Sequence, residues 1–271
     1  MNDRARWDSA SADEGPEIVL AGGNMTAVVR RGDTVHRTAG PWTPTIHRLL
    51  DHLGAAGIDG LPRPVGFDEQ GREVLTYLPG TVPSYPLPTW VWTDLVLRKT
   101  ATLLARIHQA GTTFDRADAV WQLPSHEPAE VICLNDMAPY NMVFDDDHRF
   151  SGLIDLDTAA PGPRVWDLAY LAYRLVPLSA VEDTGIGSIT LEERYRRLDL
   201  LTTAYATAGD QVAIGTTDIL RTAVTRLHEL AEFTAERAAA GAAQVASHVE
   251  IYRCDAEWIA GDLVARLSST R

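Results

Sequence analysis

Residues 131–170 read VICLNDMAPYNMVFDDDHRFSGLIDLDTAAPGPRVWDLAY, and both the fold and the chemistry of the chain turn on them. Apolar runs at 131–134 and 152–154 have the length of buried strands, and each delivers polar groups at its C-terminal end. Residues 142–144 read as a third strand between them, turned by the polar stretch 145–149. That order gathers Asp136, Asn141 and Asp155 at one edge of a small sheet. Such side chains suit phosphoryl transfer. A hard cation such as Mg2+ takes one or two carboxylates plus substrate phosphates, and a third oxygen group can orient an attacking hydroxyl. Asp136 is then the candidate base, Asn141 and Asp155 are candidate metal ligands, and Asp157 is a further oxygen donor beside them. Taken singly, Asp and Asn are ordinary residues of turns and strand ends. The ordered set carries the chemistry.

Leu134-Asn135-Asp136, the four residues Met137 to Tyr140, Asn141, and then Ile154-Asp155-Leu156 resemble the catalytic and metal-binding loops of aminoglycoside phosphotransferase-like kinases. Trp166-Asp167-Leu168-Ala169 resembles that family's downstream segment, whose Asp braces the catalytic loop. The resemblance extends from residue 18 to the C-terminus, with its specificity in 131–170. It implies a bilobal α+β, protein-kinase-like fold, with a small antiparallel-sheet lobe at 17–79 and a larger, mainly helical lobe at 80–271, after a frayed tail at 1–16. It also implies ATP or GTP with Mg2+, and transfer of the γ-phosphoryl group to a hydroxyl of an aminoglycoside or another small molecule. Three departures stand out. Leu134 replaces the family's structural His, Lys99 is the only lysine, and the helix that should carry a phosphate-site Glu has none. They motivate a rival reading as a catalytically impaired, kinase-like binding or immunity protein that sequesters a small molecule or peptide.

The N-terminal segment reads as consecutive antiparallel strands at 18–20, 25–30 and 34–37. Gly22, Gly23 and Asn24 form a turn whose backbone N–H groups can approach phosphates. Arg37 falls where the resembled family has its phosphate-pairing Lys, and its fork can hold phosphate oxygens. A helix over 45–57 follows, with Thr43 as N-cap, Pro44 at its start, and Ile46, Leu49, Leu50 and Leu53 on one face. His47 and Asp51 read as solvated. Residues 60–66 read as a loop and 73–78 as a strand, with the backbone of Thr76, Tyr77 and Leu78 as the hinge that meets the purine edge. Further helices are expected over 90–110, 191–208, 216–240 and 243–268.

A chain of 271 residues with 45% hydrophobic and 23% charged residues has the composition of a globular protein. No apolar run approaches a membrane span, and the polar N-terminus lacks the apolar core of a secretory signal, so a cytoplasmic location is expected. Two cysteines are too few for a disulfide framework. A net charge of −13 argues against nucleic acid and is compatible with a cationic acceptor.

Overall fold

The computed structural model describes residues 16–20, 28–179, 186, 189–209 and 212–265. The glycine turn at Gly22, Gly23 and Asn24 lies outside the described residues, as does the tail over 1–15. Strands β1 (Ile18–Leu20), β2 (Val28–Arg31), β3 (Thr34–Arg37), β4 (Pro64–Phe67) and β5 (Glu73–Thr76) form one antiparallel sheet in the order β1-β2-β3-β5-β4. Helix α1 (Thr43–Ala55) joins β3 to β4. It buries Ile46, Leu49, Leu50 and Leu53, each no more than 1% exposed. Burying a side chain of that size stabilises the fold by about 1.5–3 kcal/mol.

Two expectations change here. Residues 64–67, read as loop and turn, form the edge strand β4; an edge position tolerates the proline that made the segment look unlike a strand. Thr43 is the first helical residue, with Trp42 at the cap position, and the Thr43 hydroxyl accepts from the Gly40 N–H at 2.9 Å.

A Pro-rich connector leads into a short 3-10 turn (Thr89–Trp92) and helix α2 (Asp94–Gly111). Thr93 breaks what sequence periodicity reads as one helix, and its hydroxyl caps the Val96 N–H. Leu95, just after the break, is 53% exposed, and Val96 is buried. The segment rich in site residues folds as two separate two-stranded ladders: β6 (Val131–Cys133) with β9 (Ala160–Gly162), and β7 (Met142–Phe144) with β8 (Phe150–Leu153). The expected single small sheet is therefore divided.

Helix α3 (Arg164–Leu175) follows, then α4 (Leu191–Ala208), α5 (Thr216–Ala239), and α6 (Ala246–Trp258), which runs into a π-helical turn (Ile259–Val264). One apolar cluster links α1, α2, α3 and the ends of α4, α5 and α6. No helix among the described residues is long and apolar enough to cross a membrane.

The two lobes meet closely beside the site. The Leu153 N–H donates to the Gly60 carbonyl at 2.8 Å. A Cβ on Gly152 would collide with that same carbonyl, and Gly60 itself sits at φ +78°. Only glycines permit this approach of the N-terminal lobe to the strand that precedes Asp155.

Candidate active site

The loop from β6 to β7 carries Asp136 and Asn141, and the loop after β8 carries Asp155. Asp136, Asn141 and Asp155 line one narrow crevice with Leu134, Met137, Leu153, Ile154 and Leu156. A wider cleft, lined by residues such as Trp92, Glu193 and Arg197, contains none of these candidate groups. The candidate oxygen donors converge in the narrow crevice.

Within the crevice, Asn141 donates its amide to the Asp136 carbonyl at 2.9 Å and to Asp136 Oδ2 at 3.0 Å. Its amide oxygen therefore points away from Asp136. The Asn141 carbonyl accepts from the Ile154 N–H at 2.9 Å, which holds the two loops in register. Tyr140 donates its hydroxyl to Asp136 Oδ1 at 2.6 Å. Burial raises the Asp136 carboxyl above the usual range, with the Tyr140 hydrogen bond and the Arg174 charge opposing it. Asp155 is 51% exposed.

Asn135 and Asp155 adopt left-handed backbone conformations, at φ 65° and 61°. Asn and Asp tolerate this region better than other non-glycine residues. Asn135 is tightly fastened: its amide donates to the Thr158 carbonyl at 2.8 Å and accepts from Trp166 Nε1 at 2.9 Å.

The family's structural His is absent at Leu134, yet the loop is braced. Asp167, fully buried in the first turn of α3, accepts from the N–H groups of Leu134 at 2.6 Å and Asn135 at 2.9 Å. His108 from α2 faces the same carboxylate at 3.1 Å. Arg226 of α5 lies 3.8 Å from Asp167 and donates to the carbonyls of Asn135 and Trp166. Main-chain bonds to a buried carboxylate position the loop without an imidazole at 134. His108, Cys133 and Asp167 form a buried cluster with ligand atoms within 4.8 Å of one another. Burial pushes the Cys133 thiol up, and Asp167 is already committed to the loop. This cluster is a brace.

Arg37 is placed differently from the phosphate contact expected of it. Its Nε donates to Glu73, its Nη1 to Asp155 Oδ1 at 2.8 Å, and its Nη2 to Asp157 Oδ1 at 2.5 Å. Three carboxylates surround one guanidinium because Glu73 lies opposite Arg37 in the β3–β5 register. Glu73 is fully buried, and its second oxygen faces His47 Nε2 at 3.1 Å. His47 is thus buried rather than solvated, whereas Asp51 is exposed as expected. The Glu missing from α1 is supplied by a neighbouring strand. Burial raises the Asp157 carboxyl to about 6, with Arg37 opposing the shift.

At the expected hinge, the Thr76 N–H donates to the Arg63 carbonyl at 2.9 Å and the Tyr77 N–H to the Asp33 carbonyl at 2.7 Å. The Arg30 guanidinium stacks 3.8 Å above the Tyr77 ring. Two of the three hinge amides are therefore satisfied within the protein. Asp255 on α6 is fully buried, accepting from the hydroxyls of Tyr173 at 2.8 Å and Ser179 at 3.1 Å.

A twisted antiparallel lobe resting on a helical lobe, with an Asp/Asn/Asp crevice between two short ladders, is the architecture of protein-kinase-like phosphotransferases. The solved structures agree at the level of fold. Choline kinase from Cryptosporidium parvum aligns with a TM-score of 0.63 at 11% identity, covering 94% of this chain and 92% of that one. A macrolide 2'-phosphotransferase from Brachybacterium faecium aligns at 0.53 with 14% identity, covering 85% and 87%. Residues 113–201 match the model of the phosphotransferase enzyme family. The trifolitoxin immunity protein of Rhizobium leguminosarum bv. trifolii is 34% identical over 192 residues, spanning 67% of this chain and 72% of that protein. The chain belongs to the phosphotransferase enzyme family.

Proposed function

We propose that this protein transfers the γ-phosphoryl group of ATP or GTP to a hydroxyl of a small molecule. The observation that carries this reading is the convergence of Asp136, Asn141 and Asp155 on one crevice, in loops fixed by Asp167, Arg226 and two left-handed backbone positions. Asp136 orients the acceptor hydroxyl and takes its proton. The hydroxyl oxygen forms a bond to the γ-phosphorus as the bond to the bridging oxygen breaks, and the nucleoside diphosphate leaves with that electron pair. The residues fit Mg2+: the Asn141 amide oxygen and the half-exposed Asp155 carboxylate are hard oxygen donors free of the Asp136 bonds. When bound, the ion offsets charge on the transferred group. Arg37 acts as a positioning residue that sets Asp155 and Asp157 against Glu73. Leu78 is the hinge position whose amide remains to meet a purine edge. The cytoplasm, where both nucleotides are abundant, is the assigned location.

A second reading is a kinase-like protein that protects its host by sequestering a ligand. Two observations favour it: Arg37 already occupies oxygens of Asp155 and Asp157, and a relative is named an immunity protein. Calorimetry with ATP and GTP, with and without Mg2+, separates the two. Metal-dependent nucleotide binding that Asp155→Ala removes supports phosphotransfer, and no binding under any condition sinks it. Asp136→Asn is expected to lower turnover about 10²- to 10⁴-fold, the usual contribution of a positioned base. A sequestering protein would keep its protective effect in that variant.

A further inference from the structure

Arg174, half-buried, stands next to the candidate base in an environment unlike that of the buried Arg226. Its guanidinium carbon lies 5.3 Å from the Tyr85 ring centre, 5.4 Å from Tyr140, 5.9 Å from Tyr170 and 5.6 Å from Tyr173. Tyr170, Tyr173 and Arg174 share a face of α3 by helical spacing. Tyr140 comes from the loop of Asp136, and Tyr85 from the Pro-rich connector. Tyr85 and Tyr140 are the exposed walls, 48% and 37% accessible, so this ring of tyrosines opens to solvent.

The polar accounting is incomplete. Arg174 Nη2 donates to the Tyr85 hydroxyl at 2.5 Å, while its Nε is buried without a hydrogen-bond partner. Among the described residues Arg174 makes no ion pair. Arg226, by contrast, donates to two backbone carbonyls and lies near a carboxylate; Arg197 also donates to two carbonyls beside a carboxylate, although its Nε too is without a partner. Cation–π contacts hold a guanidinium in place, but they leave its planar fork of N–H groups largely unused. A carboxylate matches that fork with two parallel, charge-assisted bonds.

The cage also borders the reacting end of the site. The Tyr140 hydroxyl that donates to Asp136 lies 3.1 Å from the Tyr170 hydroxyl. A molecule seated among the tyrosines with its anion on Arg174 therefore lies beside Asp136.

We infer that Arg174 and its tyrosines are the acceptor-recognition site, and that the acceptor is a hydroxylated carboxylate with an apolar or aromatic body. This inference rests on the phosphotransfer reading of the crevice and names its acceptor class. The acidic net charge suggested a cationic acceptor, but such a molecule would meet a fixed positive charge at this cage. The carboxylate anchors on Arg174, the body packs against Tyr85 and Tyr140, and the hydroxyl faces Asp136.

A matched trio tests it: 4-(hydroxymethyl)benzoate, its amide, and 4-(hydroxymethyl)benzylamine, titrated by ligand-observed NMR with and without ATP and Mg2+. The acid is expected to bind at least tenfold more tightly than the amide, with the amine weakest. Arg174→Gln reduces the acid to the level of the amide, and Arg174→Lys retains part of the preference. Equal binding of the three, preference for the amine, no binding of any, or a preference unchanged in Arg174→Gln overturns the inference. The wild-type comparison decides even if a variant folds poorly. Failure of phosphotransfer looks different: the acid preference persists while nucleotide binding and diphosphate release are both absent.

Discussion

Two arginines flank the crevice, and their surroundings are opposite. Arg37, on the Asp155 side, is 13% exposed and donates to three carboxylates, one of them wholly buried. Arg174, on the other side, has four aromatic faces, one phenol and no ion pair among the described residues. A guanidinium whose donors are matched by the protein is part of its architecture. One whose donors are left over is available to something that arrives from solvent. The same residue type thus serves positioning in one half of the site and recognition in the other.

The strongest way to break this comparison is to truncate Arg37. Arg37→Ala leaves Glu73 buried beside His47 without its main cation, and an uncompensated buried charge costs about 3–5 kcal/mol. Urea unfolding should show a loss of that size, with Arg37→Met/Glu73→Gln recovering most of it. A wild-type midpoint for Arg37→Ala would show that the arginine is not structural. Arg174→Met should cost only about 1–2 kcal/mol in the same assay, the scale of a few cation–π contacts. A loss equal to that of Arg37→Ala would erase the distinction between the two.

The base between them sharpens it further. Asp136 must be ionised to accept a proton, and burial raises its carboxyl, so turnover should rise with pH along an acid limb above the ordinary carboxylate range. Tyr140→Phe removes a bond that favours the charged form and should move that limb upward. A limb that stays in place or moves down would remove Tyr140 from the site. The smallest effect belongs to the sheet's outer face. Burial there would raise the Asp68 carboxyl, but His36 and Arg72 hold it down to about 2. Its contribution is therefore present above the ordinary Asp range and lost as pH falls toward 2. Asp68→Asn should lower Tm at neutral pH by a few degrees, about 1 kcal/mol or less, and by less still in acid. A drop that grows in acid would contradict the sign.

Local pattern carried the reading of Asp136, Asn141, Asp155 and Asp167, because strand, turn and polar group follow one another within forty residues or so. Residues joined only by the fold were not legible in this way. Glu73 reaches Arg37 through sheet register across 36 positions, and Arg226 reaches the Asn135 carbonyl across 91. The signals for Glu73 and His47 are faint: a charge opening an otherwise apolar strand, and an imidazole near a helical apolar face. The tyrosine cage draws on three separate segments, none of which has a motif. Thr93 was legible as a capping residue type but was outweighed by periodicity on either side of it. Strand β4 was hidden by its proline, an objection that holds for central strands and lapses at an edge.

The Arg37–Glu73 pair has one last consequence. In protein kinases, activity is switched by moving a helix that carries the glutamate partner of the phosphate-site lysine. Here both partners belong to adjacent strands of one sheet, and α1 meets Glu73 through His47. Displacing α1 would remove an imidazole from Glu73 but leave the pair closed. Helix motion of that kind therefore has a weaker lever on this ion pair, which the β3–β5 register holds closed.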